Sequence, residues 1–361
     1  MKNPAVPKLV FAPSVLLVLL AVLPCSLPSY AAPQYRPQIL QEKDWQVVCD
    51  NARTCLAGGY RAAGSASKPV AVLIWREAGP SSRAHVSVRT QFDKMYNNEI
   101  VLRAGATEIA TLAPKNYPLK SGVNYNKMQL NKEQVDALLP WLFMANQIEV
   151  EQAGAISMLS LAGGKDVLQQ MDTWQGRRNT PGALVQRGTK AETAVFRPLP
   201  LPVVRLTQAI VASKPEDALL AHVILPLVNK TTLDPECQPQ HDSTAKIHRL
   251  TADKLLLSLT CPKRVYSTMT HNWIAQDKPP YRPVAIEAKG DFVTIQGGTF
   301  PARGFLRQSV TARSTDDCLD EESWVFNGKN FALESVWTTG MCRGFENGAS
   351  NFFVYRTQLK D

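Results

Sequence analysis

The chain has 361 residues, 45% of them hydrophobic and 20% charged, with a formal net charge of +9. That balance excludes a disordered chain, and the length suits about two domains. Twenty-five prolines and twenty glycines favour short strands and turns over long helices.

Residues 1–31 read as a secretory signal peptide. Lys2 and Lys8 supply a basic start, Leu9 to Leu23 is apolar apart from Pro13 and Ser14, and Ser29-Tyr30-Ala31 places cleavage after Ala31. The apolar run is about 15 residues, short of the ~20 that span a bilayer. No later run reaches that length, so the mature chain is expected to lack a transmembrane span. Cys25 raises a lipid anchor as a competitor, but Pro24 stands where a small residue should precede the modified cysteine. The expected address is the periplasm. Nine charges less Lys2 and Lys8 leave +7 on the mature chain. Anionic glycans, lipid surfaces or envelope proteins are then the expected partners, and nucleic acid is not.

Past the signal the predicted elements are mostly strands. Trp45–Cys49, Cys55–Ala57, Val70–Trp75, Ala84–Arg89, Glu99–Arg103, Ile148–Val150 and Ile156–Leu159 carry the β-favouring runs. Val70–Trp75 is continuously apolar, as a strand buried on both faces would be. A helix starts at Asn131, with Gln134 completing a capping box. Val135, Leu138, Leu139, Leu142 and Phe143 form its apolar stripe, and Pro140 is expected to kink or break it. Trp141 and Met144 fall off the stripe, as a second buried layer or an exposed patch. A second helix is expected over Leu161–Gln175, with Val167, Leu168, Met171 and Trp174 inward and Gly176 as its stop.

Arg197-Pro198-Leu199-Pro200-Leu201-Pro202 reads as a stiff linker. The expected division is therefore a β-rich domain with two helices over 32–196, a linker over 197–204, and a second β-rich domain over 205–361. Ser213 and Glu216 suggest another capping box before a short helix ending near Pro226. Two hairpins follow, turning at Thr251–Lys254 and at Asn327–Asn330.

After signal removal six cysteines remain: Cys49, Cys55, Cys237, Cys261, Cys318 and Cys342. An even count in an exported chain predicts disulfides. Cys49 and Cys55 sit at a hairpin neck, and the other four fall into two pairs of equal separation, so the expected bridges are 49–55, 237–261 and 318–342. Equal spacing around two hairpins also hints at an internal duplication. There is no CxxC pair and no finger spacing, so zinc is not expected.

Two charge runs stand out: Arg177, Arg178, Arg187, Lys190, Arg197 and Arg205, then Asp316, Asp317, Asp320, Glu321 and Glu322. Both read first as solvated surface. Asp172, Gln175, Arg177 and Arg178 crowd the end of the second helix and form a candidate contact surface, although a helix C-terminus attracts cations anyway. Asp316, Asp317 and Asp320 lack the glycine and spacing of an EF-hand. Ser65-Ala66-Ser67-Lys68 matches SxxK without its companion boxes. The five histidines, His85, His222, His241, His248 and His271, show no metal or catalytic spacing.

Three stretches carry a family resemblance: Asp44-Trp45-Gln46-Val47-Val48-Cys49 with Cys55; Leu161-Ala162-Gly163-Gly164 running into Met171-Asp172-Thr173-Trp174-Gln175-Gly176-Arg177; and Asp317-Cys318, Trp324–Lys329 and Cys342-Arg343-Gly344. They resemble an uncharacterised bacterial periplasmic family, domain of unknown function 1176, over most of the mature chain. The first half is also similar to the invasion-associated locus B family of secreted proteins. The resemblance implies no activity. Glycines that such proteins carry before the fifth cysteine are replaced here by Thr311–Asp316.

The expected fold is α+β: two β-rich domains of antiparallel sheets with a few short helices, stapled by disulfides. The expected role is a non-enzymatic binding or envelope-maintenance protein without a cofactor. The alternatives are an inhibitor or partner of an envelope hydrolase, and a hydrolase whose site is dispersed along the chain.

Overall fold

A computed structural model describes residues 38–360 apart from 93–97, 119–123, 207–211, 230–232, 234–236, 238–243, 264–266, 287–303 and 312–316. The expected signal peptide, with Cys25, lies outside the described residues. So do His241, Asp316 and most of the segment that replaces the family's glycines.

The first stretch runs β1 (Gln38–Glu42), β2 (Trp45–Cys49), β3 (Cys55–Tyr60), β4 (Val70–Arg76), β5 (His85–Phe92), β6 (Ile100–Ala104), β7 (Thr107–Leu112), β8 (Lys115–Pro118), β9 (Asn124–Gln129), α1 (Lys132–Met144), β10 (Gln147–Gln152), β11 (Ala155–Ser160) and α2 (Gly164–Trp174). Then come β12 (Val203–Arg205), α3 (Asp217–Ile224), β13 (Thr244–Arg249), β14 (Lys254–Lys263), β15 (Ser267–Gln276), β16 (Val284–Ala285), β17 (Phe305–Thr311), β18 (Leu319–Phe326), β19 (Phe331–Thr338), β20 (Phe352–Arg356) and β21 (Gln358–Lys360). The protein is mostly β, with helices in a minor part.

Seven strands form one antiparallel sheet in the order β1-β2-β3-β4-β5-β9-β8. A four-stranded sheet, β11-β10-β6-β7, lies over one of its faces. Val47, Ala57, Val72, Ile74, Val86 and Val88 meet Ile100, Leu102, Ile148 and Val150 there, with α1 and α2 closing the core. Strand β4 is apolar at successive positions because both its faces are covered. Val70, Val72 and Ile74 enter this core, and Ala71 and Leu73 enter a second one on the opposite face.

That second core joins distant parts of the chain. Val48, Tyr60, Ala71 and Leu73 pack against Phe345, Ala349, Phe352 and Val354. The later strands form two more antiparallel sheets, β13-β14-β15-β16 and β17-β18-β19-β20. Leu250 and Leu256 of the first pack on Leu306, Trp324, Phe326 and Phe331 of the second. The proline-rich stretch runs beside the first hairpin: Arg197 O accepts from Arg53 Nη1 at 3.0 Å, and Leu199 N donates to Ala52 O at 3.4 Å. It leads into β12, which pairs in parallel with β21. Residues 35–361 fall in one compact unit.

One local expectation is narrowed, from a kink or a break to a helix that is not broken, and one is corrected. Pro140 lies inside α1 without ending it. Proline has no N–H to give the carbonyl four positions back, here that of Asp136, an exposed residue. Ser213 and Glu216 do not form a capping box: no side chain caps α3. Asp217 instead accepts from Lys214 N at 2.7 Å, because its carboxylate faces Arg249. The capping box of Asn131 and Gln134 is present on α1. Trp141 is half-buried against the main core, and Met144 is exposed.

Three disulfides join Cys49 to Cys55, Cys237 to Cys261 and Cys318 to Cys342. The first closes the β2–β3 hairpin at directly opposed positions. Cys261 lies within β14, whereas Cys318 precedes β18 and Cys342 follows β19.

Candidate functional site

Asp172, Gln175 and Arg177 are almost wholly buried, with exposures of 1%, 0% and 1%, which leaves only Arg178 of the expected contact surface exposed. The reason is helical geometry. Leu168, Met171, Asp172 and Gln175 occupy i, i+3, i+4 and i+7, so the polar pair continues the inward stripe of α2. Its counterpart is Arg76, at the end of the otherwise apolar β4 and 1% exposed. Arg76 donates to Asp172 Oδ1 and to Gln175 Oε1, each at 2.6 Å. Asp172 Oδ2 accepts from Leu184 N at 2.8 Å and Val185 N at 3.1 Å. Gln175 Nε2 donates to Arg53 O at 3.0 Å and Arg76 O at 2.9 Å. Arg177 donates to Ser82 O at 3.0 Å, to Gly79 O, and to Glu192 at 3.2 Å. Burial lowers the pKa of Arg76, and the Asp172 carboxylate opposes that shift. Both Asp172 oxygens are committed to the protein, so the cluster clasps the segment after α2 to the sheet.

A second ionic knot fixes α3 to the later sheets. Arg249 donates to Asp217 Oδ1 at 2.6 Å and to Asp277 Oδ1 at 3.0 Å. Burial would raise the Asp217 pKa, but the bonds from Arg249 and the Lys214 N–H outweigh it and hold the carboxyl below its ordinary value. Sequence reading missed both Arg76 and Arg249. Arg76 is a single cation closing an apolar strand, whereas Arg249 follows Lys246 and His248 on a mixed one, and in each case only the folded position of its carboxylate, on α2 or at the start of α3, makes the role legible.

A third cluster lies where the segment after β19 meets the seven-stranded sheet. Gln46 donates to Tyr60 Oη at 2.7 Å and accepts from Met341 N at 3.0 Å. Burial pushes the Tyr60 phenol above its ordinary value. Arg343 pairs with Asp44 at 3.0 Å, Arg61 donates to Arg343 O at 3.1 Å, and Asp317 accepts from Gly344 N at 3.0 Å. Asp317, Cys318 and Cys342 lie close enough together to suggest a metal set. Both sulfurs are in a disulfide, however, and so are not thiolate ligands.

The other singled-out residues disperse. Ser65 shares a 3.0 Å hydrogen bond with Ser67 in the loop between β3 and β4, and Lys68 is exposed. His85 packs on Trp75, and His271 stacks on Trp273. His248 lies on β13 and His222 on α3. Asp320, Glu321 and Glu322 are successive on β18. Burial, with Asp320 adding repulsion, raises the Glu322 pKa to about 7. Arg187 donates to Ala183 O at 3.2 Å, and Arg205 pairs with Lys360 in the parallel ladder.

Together these features define a mostly β, disulfide-bonded protein whose buried charges are bound to its own backbone and to one another. The chain belongs to the family described as Protein of unknown function (DUF1176), which matches residues 40–358. It is 26% identical over 359 residues to the uncharacterized protein YpfG of Escherichia coli (strain K12), covering 88% of this chain and 91% of that one. Among solved structures, the invasion associated protein b of Bartonella henselae aligns with a TM-score of 0.28 at 12% identity, covering 38% of this chain and 98% of its own. No described helix is long and apolar enough to cross a membrane.

Proposed function

We propose that the protein is exported and acts in the periplasm as a non-enzymatic binding or envelope-maintenance protein. The observation that carries the reading is the set of three disulfides, because such bridges persist in oxidising compartments and not in the cytosol. The buried clusters support it. The acids and bases of the Arg76 and Arg249 knots spend their polar atoms on holding strands and loops together. The excess of basic residues favours an anionic partner.

Fractionation with thiol alkylation tests the address. Six blocked sulfurs in the periplasmic fraction are expected, and six free thiols in the cytosol would overturn the proposal. Cross-linking in the periplasm followed by a broad turnover screen tests the role. Capture of a partner without turnover supports binding, whereas turnover lost on a single Ser, Asp or His substitution would refute it.

A further inference from the structure

Beyond the residues packed in the second core, the outer strands of the seven-stranded sheet carry a row of cations. On the face where Tyr60, Ala71 and Leu73 meet Phe345 and Phe352, the alternation of the strands continues outward through β5, β9 and β8. The register sets Ala71 opposite Arg89, Arg89 opposite Lys127, and Lys127 opposite Lys115. Three cations therefore stand side by side on adjacent strands, each about 5 Å from the next. Like charges directly opposed in this way destabilise a sheet.

Arg89 and Lys127 are half-buried, and Lys115 is exposed. Burial, with the nearby Arg89 guanidinium adding to it, lowers the pKa of Lys127. Among the described residues no carboxylate pairs with Lys127 or Lys115. Arg89 also reaches the carbonyl of Ala349, which places it at the edge of the covering segment. On the same face His85 and Gln129 are exposed, while Ser87 is buried and Gln91 accepts a hydrogen bond from Glu346 N at 3.0 Å.

We infer that Arg89, Lys127 and Lys115 form a binding site for a soluble ligand bearing phosphate groups. The chemistry selects that class. A phosphate carries close to two charges and three acceptor oxygens, enough to bridge two adjacent cations and quench their repulsion. A single carboxylate would neutralise one. A small soluble ligand fits better than a membrane, because Arg89 and Lys127 are half-buried beside the overlying segment and a flat head-group plane reaches them poorly. This inference rests on the proposed binding role and names the ligand class for it.

The test is calorimetric titration of the mature, fully oxidised chain with inorganic pyrophosphate, against sodium chloride at matched ionic strength. Binding should be saturable and should weaken about tenfold in Lys127→Gln, the loss of one charge-assisted contact. Lys115→Gln should weaken it less, and Lys127→Arg should keep it within a few-fold. Circular dichroism and the melting temperature check that each variant is folded. Saturable binding lost in this graded order supports the site. No binding, equal binding by wild type and Lys127→Gln, or binding to phosphatidylglycerol vesicles without pyrophosphate binding overturns it. If a partner is still cross-linked in the periplasm while pyrophosphate fails to bind, this site falls and the binding reading stands.

Discussion

Single side chains decide how the buried charges behave. Arg76 and Asp172 are each about 1% exposed and meet in one short contact. Removing one partner strands the other in a dry interior, which costs about 3–5 kcal/mol. Arg76→Ala should therefore lower the urea midpoint sharply. Arg76→Leu combined with Asp172→Leu should cost less than either single change predicts, because no orphan charge remains. Glu322 gives a pH effect of known sign. Its folded pKa of about 7 exceeds the ordinary 4.5. The folded state then holds more protons than the unfolded chain between those values, so this group makes stability fall as pH rises from about 4.5 to about 7. Glu322→Gln should raise stability at pH 8 by about 1 kcal/mol, a figure reduced for solvent screening, and should flatten the profile across that window. Chemical denaturation at pH 4, 6 and 8 reads both effects.

At the scale of elements, close approach sets the strictest demands. Gly163 precedes α2 at φ +87, and a Cβ there would come within 2.1 Å of the Glu42 carbonyl oxygen of β1. Gly163→Ala should cost more than about 3 kcal/mol, since both the backbone and the neighbouring strand resist it. A melting curve of the variant checks this. Cys237→Ser with Cys261→Ser opens a loop of 24 positions and should cost about 3.5 kcal/mol on the chain-entropy model. Strands with strong local signals were legible beforehand: the apolar run of β4, the alternation of β5, and the Asn-Gly turn before β19. Helix α1 was legible through its capping box, though not its passage through Pro140, because a proline can either end a helix or be carried within it. The buried role of Asp172 and Gln175 was half legible. They continue the apolar stripe of α2, but polarity masked that continuity until Arg76 supplied a partner. The row of Arg89, Lys127 and Lys115 was not legible, because strand order β5-β9-β8 is not sequence order.

Across the whole molecule, late segments complete early ones. The face formed by Val48, Tyr60, Ala71 and Leu73 is covered by residues 345–354. A fragment ending at residue 196 lacks that cover. It should bind a hydrophobic dye strongly and lose near-ultraviolet signal, whereas the full chain should do neither. Native-like dye exclusion by the fragment would contradict this. The ring closed by Cys49 and Cys55 has a matching role. Asp50 and Asn51 sit inside it, Asn51 exchanges hydrogen bonds with the Arg356 backbone at 2.8 and 2.9 Å, and Asp50 accepts from Arg356 Nε at 2.6 Å. A six-position cross-link in the first hairpin thus frames the socket for a strand some three hundred positions later. Opening that neck with Cys49→Ser and Cys55→Ser should therefore be felt at the far end of the chain: slower-exchanging amides of β20 are expected to lose protection, and unchanged exchange there would show that the tail seats itself without the ring.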